Sequence, residues 1–125
     1  MTTRIIIETA GVSLAAELND TATAQAVASA LPIVGEVNRW GEEVYFEIPV
    51  ARELERGARA EVEVGEIGYW PTGRAFCVFF GRTPASRDFK PRAASPVAVI
   101  GKVIGDAAPL GKTRDGDQIT LRAGQ

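Results

Sequence analysis

Seven aromatic side chains fall into two short stretches, Trp40 and Tyr45 in the first and Tyr69, Trp70, Phe76, Phe79 and Phe80 in the second. Rings carry large burial energies wherever they sit, so such stretches either fill a core or line a cleft for a ligand. In a folded β domain the two become neighbours, and Trp40, Tyr45, Tyr69, Trp70, Phe76 and Phe79 are expected to contribute to a cleft. Tyr69 and Trp70, flanked by Gly68 and Pro71 in a turn, read as its rim. Glu43 stands next to this ring area and can accept a hydrogen bond from a ligand. The alternation of its strand groups it with Tyr45 and Glu47 on the less apolar face, which reads as solvated.

Other reactive types are scarce. The chain has no histidine and one cysteine, which excludes an intrachain disulfide, a Cys/His zinc site and a histidine-based triad, and no metal site is expected. Cys77 lies in a strongly apolar segment with no flanking cation, so its thiol is expected to be buried, raised in pKa and unreactive. Glu61 and Glu63 are spaced by two, a solvated strand face rather than an acid and base pair. Arg82, Arg87, Lys90 and Arg92 crowd one loop with only Asp88 opposed, a solvated loop in its plain reading and an anion site in its sharper one. The segment from Gly105 to Thr113 resembles a phosphate-binding loop, but Pro109 interrupts it, the glycines are one residue too far apart and no helix follows.

The elements that must position these residues are mostly strands. Residues 5–8 and 12–18 flank Ala10-Gly11, the second run alternating apolar with smaller or polar side chains, and read as a hairpin. Residues 21–31 are Ala-rich, capped by Asp20 or Thr21 and stopped by Pro32, which predicts the one main helix. Strands follow over residues 33–40 and 43–48, with a helical turn at 52–56 closed by Gly57, then a strand at 61–64. Gly65 and Gly68 mark a bulge or bend. Residues 75–80 form the most apolar strand, 82–96 read as a long loop with three prolines, and 97–104 and 119–122 complete the set. About eight strands with short turns predict a mainly β, mostly antiparallel closed barrel with one main helix and short helical turns.

At 125 residues, with 46% hydrophobic and 24% charged, the chain is sized and composed for one domain spanning 1–125. Fourteen basic and sixteen acidic residues leave a net charge of -2, so no field draws the protein to nucleic acid or to anionic membrane, and neither is an expected partner. The apolar run Ile5-Ile6-Ile7 is too short for a signal or a span, so a cytoplasmic location is the expectation.

The stretch from Trp40 through Gly41, Glu42, Glu43, Val44, Tyr45, Phe46, Glu47 and Ile48 to Pro49 resembles a prokaryotic family of cyclophilin-like proteins, mostly uncharacterised. So does the stretch from Gly68-Tyr69-Trp70-Pro71-Thr72-Gly73-Arg74 through Ala75-Phe76-Cys77-Val78-Phe79-Phe80 to Gly81. Val99-Ile100-Gly101-Lys102-Val103 is similar to the late-strand segment of true cyclophilins, and residues 76–80 fall where those enzymes carry paired phenylalanines. The resemblance implies a cyclophilin-like eight-stranded barrel with helices over its ends. True cyclophilins use a Phe-His-Arg strand motif, a Gln-Gly-Gly-Asp segment and a pocket tryptophan and histidine. Only Asn38-Arg39-Trp40 comes near the first, and nothing matches the second.

Carried over on that basis, Arg39 is the candidate catalytic residue, a guanidinium that would polarise a twisted prolyl amide beside an apolar slot. Its structural alternative is pairing with Glu42 or Glu43. The expectation is therefore a domain that binds a small molecule or short peptide in an aromatic cleft, without a cofactor. A weak or divergent peptidyl-prolyl isomerase is the alternative, and an assembly subunit or module of an amide-hydrolysing system, with self-association open, is the third reading.

Overall fold

Alternation builds the first hairpin. Strand β1 (Thr3–Thr9) and strand β2 (Val12–Leu18) bury Ile5, Ile7, Leu14, Ala16 and Leu18 on one face. The two-residue turn between them holds Ala10 at φ 51° and Gly11 at φ 76°, the mirror-image turn that matches strand twist. The computed structural model describes residues 2–124 of the chain. Helix α1 (Ala22–Ser29) follows, its Thr21 hydroxyl accepting from the Ala24 amide at 3.2 Å as an N-cap.

The remaining strands are β3 (Ile33–Glu36), β4 (Asn38–Arg39), β5 (Glu43–Glu47), β6 (Arg59–Glu61), β7 (Glu66–Trp70), β8 (Ala75–Phe79), β9 (Arg92–Val103) and β10 (Gln118–Ala123). Short 3-10 helices occupy Pro71–Gly73 and Ala108–Lys112. The sheet runs β3-β10-β1-β2-β9-β7-β8-β5-β4, with β6 paired to β9, and every pairing is antiparallel. The fold is thus mainly β with one α-helix among the described residues, as the alternation and caps predicted.

Closure of the barrel, expected from the sequence, is not seen as a ring of ladders. The ends of the sheet, β3 and β4, are consecutive in the chain and separated only by Val37. At that corner the chain exchanges partners. Val37 donates to the Asp117 carbonyl and accepts from Gly116, both at 2.8 Å, after which β4 pairs with β5. No ladder joins β3 to β4.

Two further expectations are corrected. Residues 52–56 form no helical turn, because the segment is tied outward instead of to itself. The Glu55 carboxylate accepts from the Thr23 amide at 3.0 Å and from the Thr23 hydroxyl at the start of α1, and the Arg52 amide donates to the Tyr69 hydroxyl. A carboxylate at a helix N-terminus is favoured by the free amides there, and these hydrogen bonds hold its pKa below the usual value. The expected loop at 82–96 ends earlier, since β9 begins at Arg92. Pro96 is accommodated within β9 because the β6 pairing shifts register between Arg59 and Glu61, opposite Val97 and Arg92.

Strand β8 explains where a site can form. It is buried along its whole length, Phe76 and Val78 entering the main core and Ala75, Cys77 and Phe79 a second, smaller cluster with Val62, Ala93 and Val97. A strand buried on both faces needs a second cover, and the early part of β9 supplies it. Tyr45 and Trp70 pack against that smaller cluster.

Candidate functional site

On the second face of the sheet, β5, β7, β8 and the early part of β9 enclose a cavity of about 160 Å³. Glu43 and Tyr45 of β5 alternate onto this face with Cys77 of β8, while Trp70 closes one side from β7 and Trp40 enters from the link between β4 and β5. Ala93, Ala94 and Val97 of β9 form the opposite wall, where small side chains leave the space open. Tyr45 and Trp70 meet edge to face, ring centroids 6.3 Å apart and planes at 84°, so two ring walls stand at a right angle. The Trp70 indole donates to the Ser95 hydroxyl at 2.7 Å, which fixes that ring.

Glu43 departs from its expected solvated state: it is 5% exposed. Glu43 and Tyr45 do share one face of β5, but that face is covered by β9. Burial pushes the Glu43 pKa up to about 7 against a smaller opposing contribution from a hydrogen bond with Cys77. No arginine or lysine lines the cavity to offset that desolvation. The Cys77 thiol is pushed well above its ordinary range by burial first and by the neighbouring Glu43 second, as its apolar strand led us to expect.

The structure gathers Trp40, Glu43, Tyr45 and Trp70 from the expected set around one space and disperses the rest. Tyr69, expected at a rim, is fully buried in the main core and donates to the Val50 carbonyl at 2.5 Å. Phe76 lies in the same core against Phe46, centroids 5.5 Å apart, and Phe79 belongs to the smaller cluster without lining the cavity. Arg39 lies off the cavity altogether. Its guanidinium donates to the carbonyls of Gly41, Gly111 and Thr113, pairs with Glu42 at 3.3 Å and sits 5.1 Å from the Phe80 ring centroid. Sequence reading missed the wall formed by Ala93, Ala94 and Val97, since it placed the first two in a loop. The two-sided apolarity of residues 75–79 was the available signal that the face bearing Glu43 is covered.

In the cationic loop, Lys90 pairs with Glu63 at 2.9 Å, a surface contact of small energetic weight. Among the described residues no group of His, Cys, Asp or Glu could hold a metal ion, and no helix is long and apolar enough to cross a membrane.

Comparison with known proteins places this architecture. The family model described as cyclophilin-like matches residues 1–122. The chain belongs to the cyclophilin-like family. The solution structure of a hypothetical protein from Archaeoglobus fulgidus, AF2241, is 38% identical and superimposes with a TM-score of 0.83 over 98% of this chain and 95% of that one. No curated protein matches. Membership in the cyclophilin-like family agrees with the resemblance carried by the segments around Trp40, Trp70 and Val99.

For this cyclophilin-like chain the buried thiol gives a direct check of the cavity floor. Cys77→Ala is expected to lower stability by about 1 kcal/mol, the worth of a small buried hydrophobe, and the native thiol to react with a maleimide far more slowly than the unfolded chain. Chemical denaturation and labelling kinetics measure both. Native labelling at the unfolded rate would mean that the covering wall of β9 is not in place.

Proposed function

We propose that this cyclophilin-like domain is a binding module that takes a small molecule, or one side chain of a short peptide, into the cavity between β5, β7, β8 and β9. The observation that carries the reading is the enclosure of three aromatic side chains, Trp40, Tyr45 and Trp70, around one buried carboxyl, that of Glu43. An apolar pocket with few convergent polar groups and one perturbed acid is the usual form of a ligand site. A cavity of about 150 Å³ holds a benzene-sized molecule, so the occupant is a single ring or a compact branched group. Binding is favoured over isomerase chemistry because the Arg39 guanidinium is engaged by backbone carbonyls and Glu42 away from this cavity. The same reading takes the curled sheet as a barrel whose last corner is the covalent passage through Val37.

The chain has two tryptophans and both line the cavity, so intrinsic fluorescence reports its occupancy without a label. A panel of single-ring compounds, short branched amines and alcohols, and tripeptides varied at the central residue is expected to contain ligands that shift tryptophan emission and raise the melting temperature. Trp70→Ala should weaken them at least about tenfold, equivalent to about 1.4 kcal/mol. Absence of any saturable response across the panel overturns the binding reading.

A further inference from the structure

We propose that the cavity selects a small organic cation, a compact or methylated ammonium group held between the Tyr45, Trp70 and Trp40 rings and facing the Glu43 carboxylate. This rests on the binding reading above and names its ligand class. Glu43 is buried, yet the wall facing it from β9 is Ala93, Ala94 and Val97, and β7 contributes Trp70; none of these is charged. The titratable groups that face it are Cys77 from β8 and Tyr45 from its own strand, and neither supplies a positive charge. A carboxylate kept ionised out of water without a cationic neighbour is costly, and a cationic ligand offsets that cost by becoming the missing partner.

Ring geometry supports the same class. Tyr45 and Trp70 meet edge to face and Trp40 lines the same space, so three aromatic side chains border the cavity, and a weakly hydrated cation placed over any of their faces is attracted by the ring quadrupole. Because the Trp70 N–H is already given to Ser95, that indole offers the cavity no free donor for an anion or carbonyl. The alanines of β9 leave room for methyl groups. A purely neutral ligand would account for the rings and the small wall but give the ionised carboxylate no counter-charge, and an anion would be repelled by that ionised form.

Proton linkage follows from the raised pKa. A cation binds the ionised carboxylate, so below about pH 7 binding must expel the Glu43 proton, and affinity rises with pH toward about 7 and then levels off. The test uses the intact chain and three probes: tetramethylammonium, choline, and 3,3-dimethylbutan-1-ol, which has the shape of choline without its charge. Tryptophan fluorescence and calorimetry are read at pH 8 and pH 5.5. The expected result is at least tenfold tighter binding of choline than of its neutral counterpart at pH 8, a preference that shrinks about tenfold or more at pH 5.5. Glu43→Gln should abolish the preference while still binding the neutral alcohol, and Trp70→Leu should weaken the cations more than the alcohol. Equal or tighter binding of the alcohol at pH 8 overturns the cation inference and leaves the binding reading standing. No saturable response to any of the three probes overturns the cation inference, while the broader panel above decides the binding reading separately.

Discussion

Glu43→Gln is expected to stabilise the protein above neutral pH, by at most about 3.5 kcal/mol, and to leave stability near pH 4 almost unchanged. The sign follows from the two states of the carboxyl. Its ordinary pKa is 4.5 and burial in the fold raises it to about 7, so between these values the folded chain binds more protons than the unfolded one. The contribution of Glu43 to stability is therefore intact below about pH 4.5, declines as pH rises toward about 7 and is lost above it. Each pKa unit is worth about 1.4 kcal/mol, which sets the upper bound. Glutamine keeps the shape and a polar end but carries no charge, so the variant lacks this decline. Glu55 titrates with the opposite sign, its lowered pKa giving stability that is lost on acidification, but it is common to both proteins and cancels in the difference. Urea denaturation of wild type and variant at pH 4, 6 and 8 measures the effect. Parallel curves at all three values would place Glu43 in water and remove the basis of the cavity's acid chemistry.

The same residue marks the boundary of what the sequence discloses. Period-two alternation in residues 12–18 and 43–48 and the capped Ala-rich segment after Asp20 specified β2, β5 and α1, because local pattern and tertiary burial agree there. Where they conflict, tertiary contacts prevailed. Pro84, Pro91 and Pro96 argue for a loop, yet the last lies in β9, where the register shift against β6 removes the need for an unbroken ladder. Residues 52–56 have helical composition, but their polar groups are taken by α1 and Tyr69.

The candidate site was legible as a set of residue types and only partly as an arrangement. Trp40, Glu43, Tyr45 and Trp70 do converge, whereas Arg39 does not accompany Trp40, its neighbour in the chain. Adjacent residues of an extended segment point to opposite faces, so a guanidinium and a ring next to each other cannot both enter one cleft. The same rule divides Tyr69 from Trp70 and Phe76 from Cys77, one of each pair going to the main core and the other to the cavity side. What covers the second face depends on β9, more than twenty residues distant from β7 in sequence, and no local pattern reports it.

That dependence on β9 makes Gly101→Ala the substitution expected to cost most, at least about 3 kcal/mol. Gly101 stands opposite Leu18 of β2 and Ile67 of β7, within a strand that joins the two halves of the sheet. The β2 side of that join has only three register pairs, Ala16 with Val103, Glu17 with Lys102 and Leu18 with Gly101, extended by the Asn19 amide donating to Ile100 at 2.7 Å. A methyl at position 101 would lie 2.1 Å from the Glu17 carbonyl oxygen and 3.0 Å from the Leu18 Cα, and both are backbone atoms that no rotamer change can move aside. Relief requires β2 and β9 to separate, and overpacking that displaces backbone lies at or beyond the upper end of the usual 1–3 kcal/mol. Gly111→Ala provides the comparison, since its methyl would meet only Phe80 at 3.9 Å and the backbone there is not left-handed. That variant should stay within about 0.5 kcal/mol of wild type. Because β9 also carries Ala93, Ala94 and Val97, loosening its anchor on β2 should let the cavity wall open and increase the exposure of Trp40 and Trp70, both half-buried in the native fold. Denaturation read by tryptophan fluorescence therefore records both consequences, and equal midpoints for the two variants would show that β2 and β9 do not approach as closely as this sheet order requires.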